Sequence, residues 1–186
     1  MAVKTFTTGE VLTASDTNTY LANAGLVYVT QATAIAGNTS LAIDNCFTST
    51  YENYRIMWKF ATPNSGNPAV YLQMRKSGAT NATSNYYHIG TGQATDGSSA
   101  NYNGSNLTSI YAGGLPGFTT LDIISPKNSA TQTVFSGSTI FYSGSAFFQR
   151  TLGGWMNVID SMDGFIVSNP TFTADFTVYV YGYRKA

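Results

Sequence analysis

His88 is the only histidine in the chain, so any Ser–His–Asp relay would have to pass through it. It stands in Asn85-Tyr86-Tyr87-His88-Ile89-Gly90, and no nucleophile elbow, phosphate-cradling glycine loop or HExxH pair accompanies it. Asp160 and Asp163, in Asp160-Ser161-Met162-Asp163-Gly164, are the most closely spaced carboxylates. Such a pair could cleave glycosides or hold calcium. An Asp before Gly is also ordinary hairpin-turn chemistry, and this is the reading taken here. Cys46 is the one cysteine, which leaves no internal disulfide and no Cys-based metal cluster. Beside Phe47 it reads as a small buried hydrophobe. No catalytic residue, metal site or cofactor is expected, and the chain reads as a non-enzyme.

Tyrosine carries the richer signal. Tyr86, Tyr87 and Tyr102, with His88, fall in a polar stretch over residues 77–106 dominated by Ser, Thr, Asn, Gly and Ala. A flat apolar ring with a polar tip suits wet, polar partners such as sugars. These four residues are the candidate surface-binding set. Tyr179, Tyr181 and Tyr183 alternate with Val178 and Val180 and form a stripe on one face of a terminal strand. That stripe packs against another sheet or a sister subunit.

The bulk composition narrows the partners. Charged residues make up 10% of the 186, against roughly 25% in an ordinary soluble protein. Formal net charge is zero and the basic residues are scattered, so the electrostatic footprint of a nucleic-acid binder is missing. No net charge also means little repulsion between copies, which suits an assembly. No apolar run approaches the ~18 residues of a membrane span, and the first residues, MAVKTFTTGE, lack the apolar core of a signal peptide. Synthesis in a cytoplasm is expected, without membrane insertion.

The elements that must position these residues are mostly strands. Near the start, Thr13 fits a helix N-cap with Asp16 three residues on, Tyr20, Leu21 and Ala24 give a narrow apolar stripe, and Gly25 fits the closing C′ position. A helix of about three turns is marginal alone in water and must dock on something. Beyond Gly25 the apolar period becomes two. LVYVTQATA reads as a strand. YRIMWKF turns Tyr54, Ile56, Trp58 and Phe60 one way, and AVYLQMRK turns Val70, Leu72 and Met74 inward, so these two read as a hairpin across PNSGNP. NYYHIG is a short strand inside the long 77–106 loop. LTSIYA, FTTLDII, the near-copies FSGSTIF and YSGSAFF, WMNVI, DGFIV and DFTVYVYGYR complete eight to ten strands. The expectation is an all-β fold, an antiparallel β-sandwich of jelly-roll-like or Greek-key type, preceded by one short α-helix. Residues 1–25 form the helical anchor, 26–44 a connecting strand or linker, and 45–186 the sandwich head.

Three segments resemble tailed-bacteriophage virion proteins. Phe6, Gly9, Val11, Leu12, Thr13, Ala14, Asn18, Tyr20 and Leu21 match an N-terminal pattern of that group. Phe47, Thr48, Tyr51, Asn53, Tyr54, Arg55 and Ile56 match an inner strand, and Val178, Val180, Tyr181, Gly182, Tyr183 and Arg184 match the ending. Residues 61–165 match nothing comparable. The resemblance implies a virion protein that assembles through its N-terminus, with Phe6, Val11, Leu12, Tyr20 and Leu21 as anchor residues against other virion proteins. A homotrimeric tail fibre or adhesin that touches a host surface glycan is the leading expectation. A capsid decoration or head-fibre protein is the alternative, and a polysaccharide hydrolase the least favoured.

Overall fold

The computed structural model describes residues 7–11, 13–14, 25–59, 69–99, 101–107, 109–114, 117–142, 146–168 and 176–184. Thirteen strands run through them: β1 (Leu26–Ala34), β2 (Ser40–Ile43), β3 (Tyr51–Lys59), β4 (Ala69–Lys76), β5 (Ala79–Thr80), β6 (Tyr86–Ala94), β7 (Tyr102–Leu107), β8 (Ile110–Gly114), β9 (Gly117–Ile124), β10 (Val134–Tyr142), β11 (Phe147–Met156), β12 (Gly164–Ser168) and β13 (Phe176–Arg184). Eight of them form one antiparallel sheet in the order β1-β13-β3-β9-β10-β11-β6-β7. The other sheet runs β2-β12-β4-β5, and β8 also pairs with β4.

The period-two pattern has the expected consequence. Tyr54, Ile56 and Trp58 on β3, Val70, Leu72 and Met74 on β4, and Phe176, Val178 and Val180 on β13 are all buried. With Leu121, Ile123, Phe135, Met156, Phe165 and Val167 they make one hydrophobic cluster fed by both sheets. Burying side chains of this size contributes roughly 1.5–3 kcal/mol each. Phe47 links the sheets directly: its ring lies 4.7 Å from Tyr54 of the large sheet and 5.8 Å from Phe165 of the small one. Tyr86 makes a second tie. Its hydroxyl accepts from the Met74 amide at 2.8 Å and donates to the Asn81 carbonyl at 2.8 Å. Cys46 is buried, as its neighbour Phe47 suggested, and burial first of all pushes its thiol well above the ordinary range.

Several expectations are corrected. β3 and β4 are not a hairpin, since they lie in different sheets. Their apolar faces oppose each other across the core, an arrangement that leaves the same alternation in each strand as side-by-side pairing would. Residues 77–106 are not one long loop. β5, β6 and β7 occupy most of them, and the small residues that disguised the strands fit backbones lying close together, as at Gly92 beside Gln149 and Arg150. Residues 26–44, expected as a connecting strand or linker, hold β1 and β2: β1 pairs with β13, β2 pairs with β12, and Ala34 and Ile43 enter the core. FSGSTIF is continuous strand within β10, whereas the second copy runs from the last residue of β10 to the start of β11, with Tyr142 opposite Phe147. WMNVI is not a strand of its own, because Trp155 and Met156 end β11. Asp163-Gly164 is not a hairpin turn, since it leads into β12 from the other sheet. Thirteen strands exceed the eight to ten expected because β2 and β5 are too short to show a period and β7 is built mostly of small polar residues. Residues 15–24 of the expected helix lie outside the described residues; Gly25, its expected end, has a left-handed φ of 95°.

Gly137 tests how closely the strands approach. A Cβ built there would collide with the Thr120 carbonyl on β9, whereas one at Gly153 would have its nearest neighbour at 3.9 Å. Gly137→Ala is expected to cost about 1–3 kcal/mol in a denaturant titration, and Gly153→Ala to stay within about 0.5 kcal/mol.

Candidate functional site

Alternation that buries one side of the large sheet turns the other side to solvent. Antiparallel pairing then sets the outward residues in rows. One row reads Leu26, Tyr183, Asn53, Ile124, Val134, Trp155 and Tyr87 across seven strands in register. Trp155 and Tyr87 stack at 5.1 Å with planes 2° apart. A second row holds Tyr28, Tyr181, Arg55, Asp122, Ser136, Gly153 and Ile89. A third, more polar, includes Gln31, Tyr179, Met57, Thr120, Ser138, Thr151 and Thr91. The fourth carries Thr33, Thr177, Lys59, Phe118, Ile140, Gln149 and Gln93.

The charge on this face is largely self-contained. Arg55 Nε and Nη2 donate to the two oxygens of Asp122, each at 2.8 Å, and the Tyr183 hydroxyl donates to the same carboxylate at 2.7 Å. Arg55 also lies over the Tyr183 ring at 5.5 Å. Burial pushes Asp122 up, but the hydrogen bonds from Arg55 and Tyr183 outweigh it and hold the carboxyl below its usual value. Burial first, and then the Asp122 carboxylate, push the Tyr183 phenol up to about 12.

At the β6 edge the face dips into a polar cleft of about 520 Å³. Thr91, Gly92, Gln93, Ser99, Asn101, Gln149 and Thr151 line it, all neutral, and the Thr91 and Thr151 hydroxyls lie 3.1 Å apart. Neutral donors and acceptors of this kind hydrogen-bond hydroxyl-rich ligands without the desolvation cost of a charge.

The tyrosines separate into two groups. The terminal stripe does not pack on another sheet of this chain: Tyr179 is exposed, Tyr181 and Tyr183 are half-buried, and Tyr28 meets Tyr181 edge-on at 6.1 Å. Of the candidate surface-binding set, Tyr87 is on the outer face. Tyr86 and His88 are corrected to buried residues, because alternation along β6 turns both toward the core. Tyr102 lies on β7 opposite Gly90, so it belongs to a paired strand rather than a loop tip. Asp160 pairs with Lys76 at 2.6 Å, and Asp163 accepts from the Ser77 amide at 2.8 Å, where Ser77 has a left-handed φ. Both carboxylates thus hold the β4–β5 turn. No group of metal-ligating side chains occurs among the described residues. Of the anchor residues, Val11 is 79% exposed, and Phe6, Leu12, Tyr20 and Leu21 lie outside the described residues.

The cleft was missed in the sequence. Its residues come from β6, β11 and the β6–β7 connection, and their only signal is the alternation of Thr91 and Gln93 as outward polar positions. Arg150 was also missed: it turns inward and lies 4.9 Å from the Phe141 ring and 5.3 Å from the Tyr111 ring. Comparison with known proteins adds no relative, since no family model, no curated protein and no solved structure matches the chain.

Two variants test the electrostatics. Asp122→Asn is expected to cost about 1 kcal/mol near neutral pH. Asp122 has a lowered folded value, so its contribution is present above the ordinary ~3.9 and is lost as pH falls through the folded value. The variant should therefore lose less stability on acidification. Its Tyr183 phenol, followed by NMR, should titrate lower than about 12 yet above the free value of ~10, because burial persists. Burial lowers the His88 value, so protonation favours the unfolded chain. Stability should decline as pH falls below the ordinary ~6.5, and His88→Gln should remove that part of the decline in pH-dependent melts.

Proposed function

We propose that this chain is a non-enzymatic structural subunit of a tailed-bacteriophage particle. In this reading it is a tail-fibre or adhesin subunit, its β-rich part a two-layer sandwich of jelly-roll-like or Greek-key type. Residues 1–25 attach it to other virion proteins, copies associate as a homotrimer, and the head meets a host surface glycan. The observation that carries the reading is the outer face of the large sheet. It is broad, aromatic and nearly chargeless, and it offers surface for assembly rather than a reactive centre. The stretches that resemble virion proteins supply part of it, through Asn53 and Arg55 on β3 and Tyr181 and Tyr183 on β13.

The polar cleft supports the glycan part, since its neutral hydroxyls and amides suit a saccharide. Engagement of Asp160 and Asp163 in the β4–β5 turn weighs against a polysaccharide hydrolase. Sugar release that disappears in the Asp160→Asn, Asp163→Asn variant would restore that reaction. A capsid decoration or head-fibre protein shares the anchor-plus-head layout, and the label position on the particle distinguishes it.

Deletion of residues 1–25 is expected to abolish attachment to particles while the circular dichroism of the β-rich part is retained. Full occupancy by the truncated chain would refute the anchor. Imaging of labelled full-length protein on intact particles should place the label at the tail, and label over the shell would select the decoration reading.

A further inference from the structure

Among the described residues, all the exposed large apolar side chains except Val11, Ile35 and Ile159 lie on the outer face of the large sheet. On the inner strands β9, β10 and β11 they form two bands, Ile124, Val134 and Trp155 in the first row and Phe118 and Ile140 in the fourth, each 37–49% exposed, with the two more polar rows between them. Scattered surface apolars are ordinary, but their concentration on one face marks an interaction surface.

We infer that this face is the contact between copies of the chain, an inference that takes its assembled setting from the proposed function. Three observations select a second copy as the occupant. The first is size. Eight strands at ~4.8 Å spacing and about seven residues of each at ~3.3 Å make a face near 35 by 25 Å, close to the ~800 Å² that each partner contributes to a standard interface. The second is charge. Arg55 and Asp122 neutralise each other, leaving Lys59 as the remaining charge in the four rows, and the chain has no net charge to repel a copy. The third is composition. Ten of the thirteen exposed large apolar side chains among the described residues stand on this face, and the residues between them are mostly neutral, which matches the depletion of charge at the core of an interface.

The test uses the full-length protein. Light scattering across a concentration series should give an oligomer at micromolar concentration. A trimer is the stoichiometry of the proposed function, while a dimer would support the face and overturn the trimer. Val134→Lys and Ile140→Lys, both at exposed side chains, should each weaken association roughly tenfold or more with unchanged circular dichroism. A readout that needs no folded lysine variant is fluorescence. Dilution should shift the wild-type emission to the red as Trp155 meets water, and the shift should vanish in Trp155→Phe, since Trp58 stays in the core. A monomer throughout, or an oligomer that keeps its affinity in both lysine variants and shows no dilution shift, overturns the inference. An oligomer that fails to attach to particles would leave the face standing and remove the virion reading.

Discussion

The ring of Phe47 lies between Tyr54 of one sheet and Phe165 of the other, at 4.7 and 5.8 Å. That contact lies within the single core on which the rest of the structure depends. Each strand of the large sheet sends every second side chain into the core, so the intervening ones are committed to the opposite face. A one-residue slip in any pairing would exchange the two sets. The register of the whole sheet, and with it the composition of the outer face, therefore follows from the demand that Tyr54, Ile56, Trp58, Val178 and Val180 be buried.

The outer face meets the complementary demand. Its carboxylate and guanidinium neutralise each other within one row, and the Tyr183 hydroxyl donates a hydrogen bond to the same carboxylate. Apart from Lys59, what remains in the four rows is apolar, aromatic or neutral. The few charged residues of the chain serve turns and cross-strand pairs: Arg75 with Asp44, and Lys76 with Asp160. This economy of charge leaves the outer face of the large sheet nearly neutral.

Strand-level detail was legible where the alternation was strong. LVYVTQATA and AVYLQMRK coincide with β1 and β4, and the buried sides of β3 and β4 were assigned correctly for every described residue. Legibility failed in two ways. Where glycine and small polar residues replace large apolar ones, as in β6 and β7, the period loses contrast although the backbone still pairs. Where two strands have equal patterns, as β3 and β4 do, sequence cannot tell neighbours in one sheet from partners across a core. The candidate site suffered accordingly: Tyr87 reaches the surface, whereas Tyr86 and His88, its neighbours along the strand, do not.

The sequence by itself determined the β-rich character, the inward residues of the strongest strands, the scarcity of charge and the tyrosine stripe. These are local properties, set by side-chain type and a period of two. Tertiary structure alone decided which strands are neighbours, that 26–44 belongs to the sheets, and that residues from 26 to 183 share one exposed row. Such rows arise from hydrogen-bonded pairing between segments far apart in the chain, and no local pattern encodes which distant strand a given backbone edge will meet.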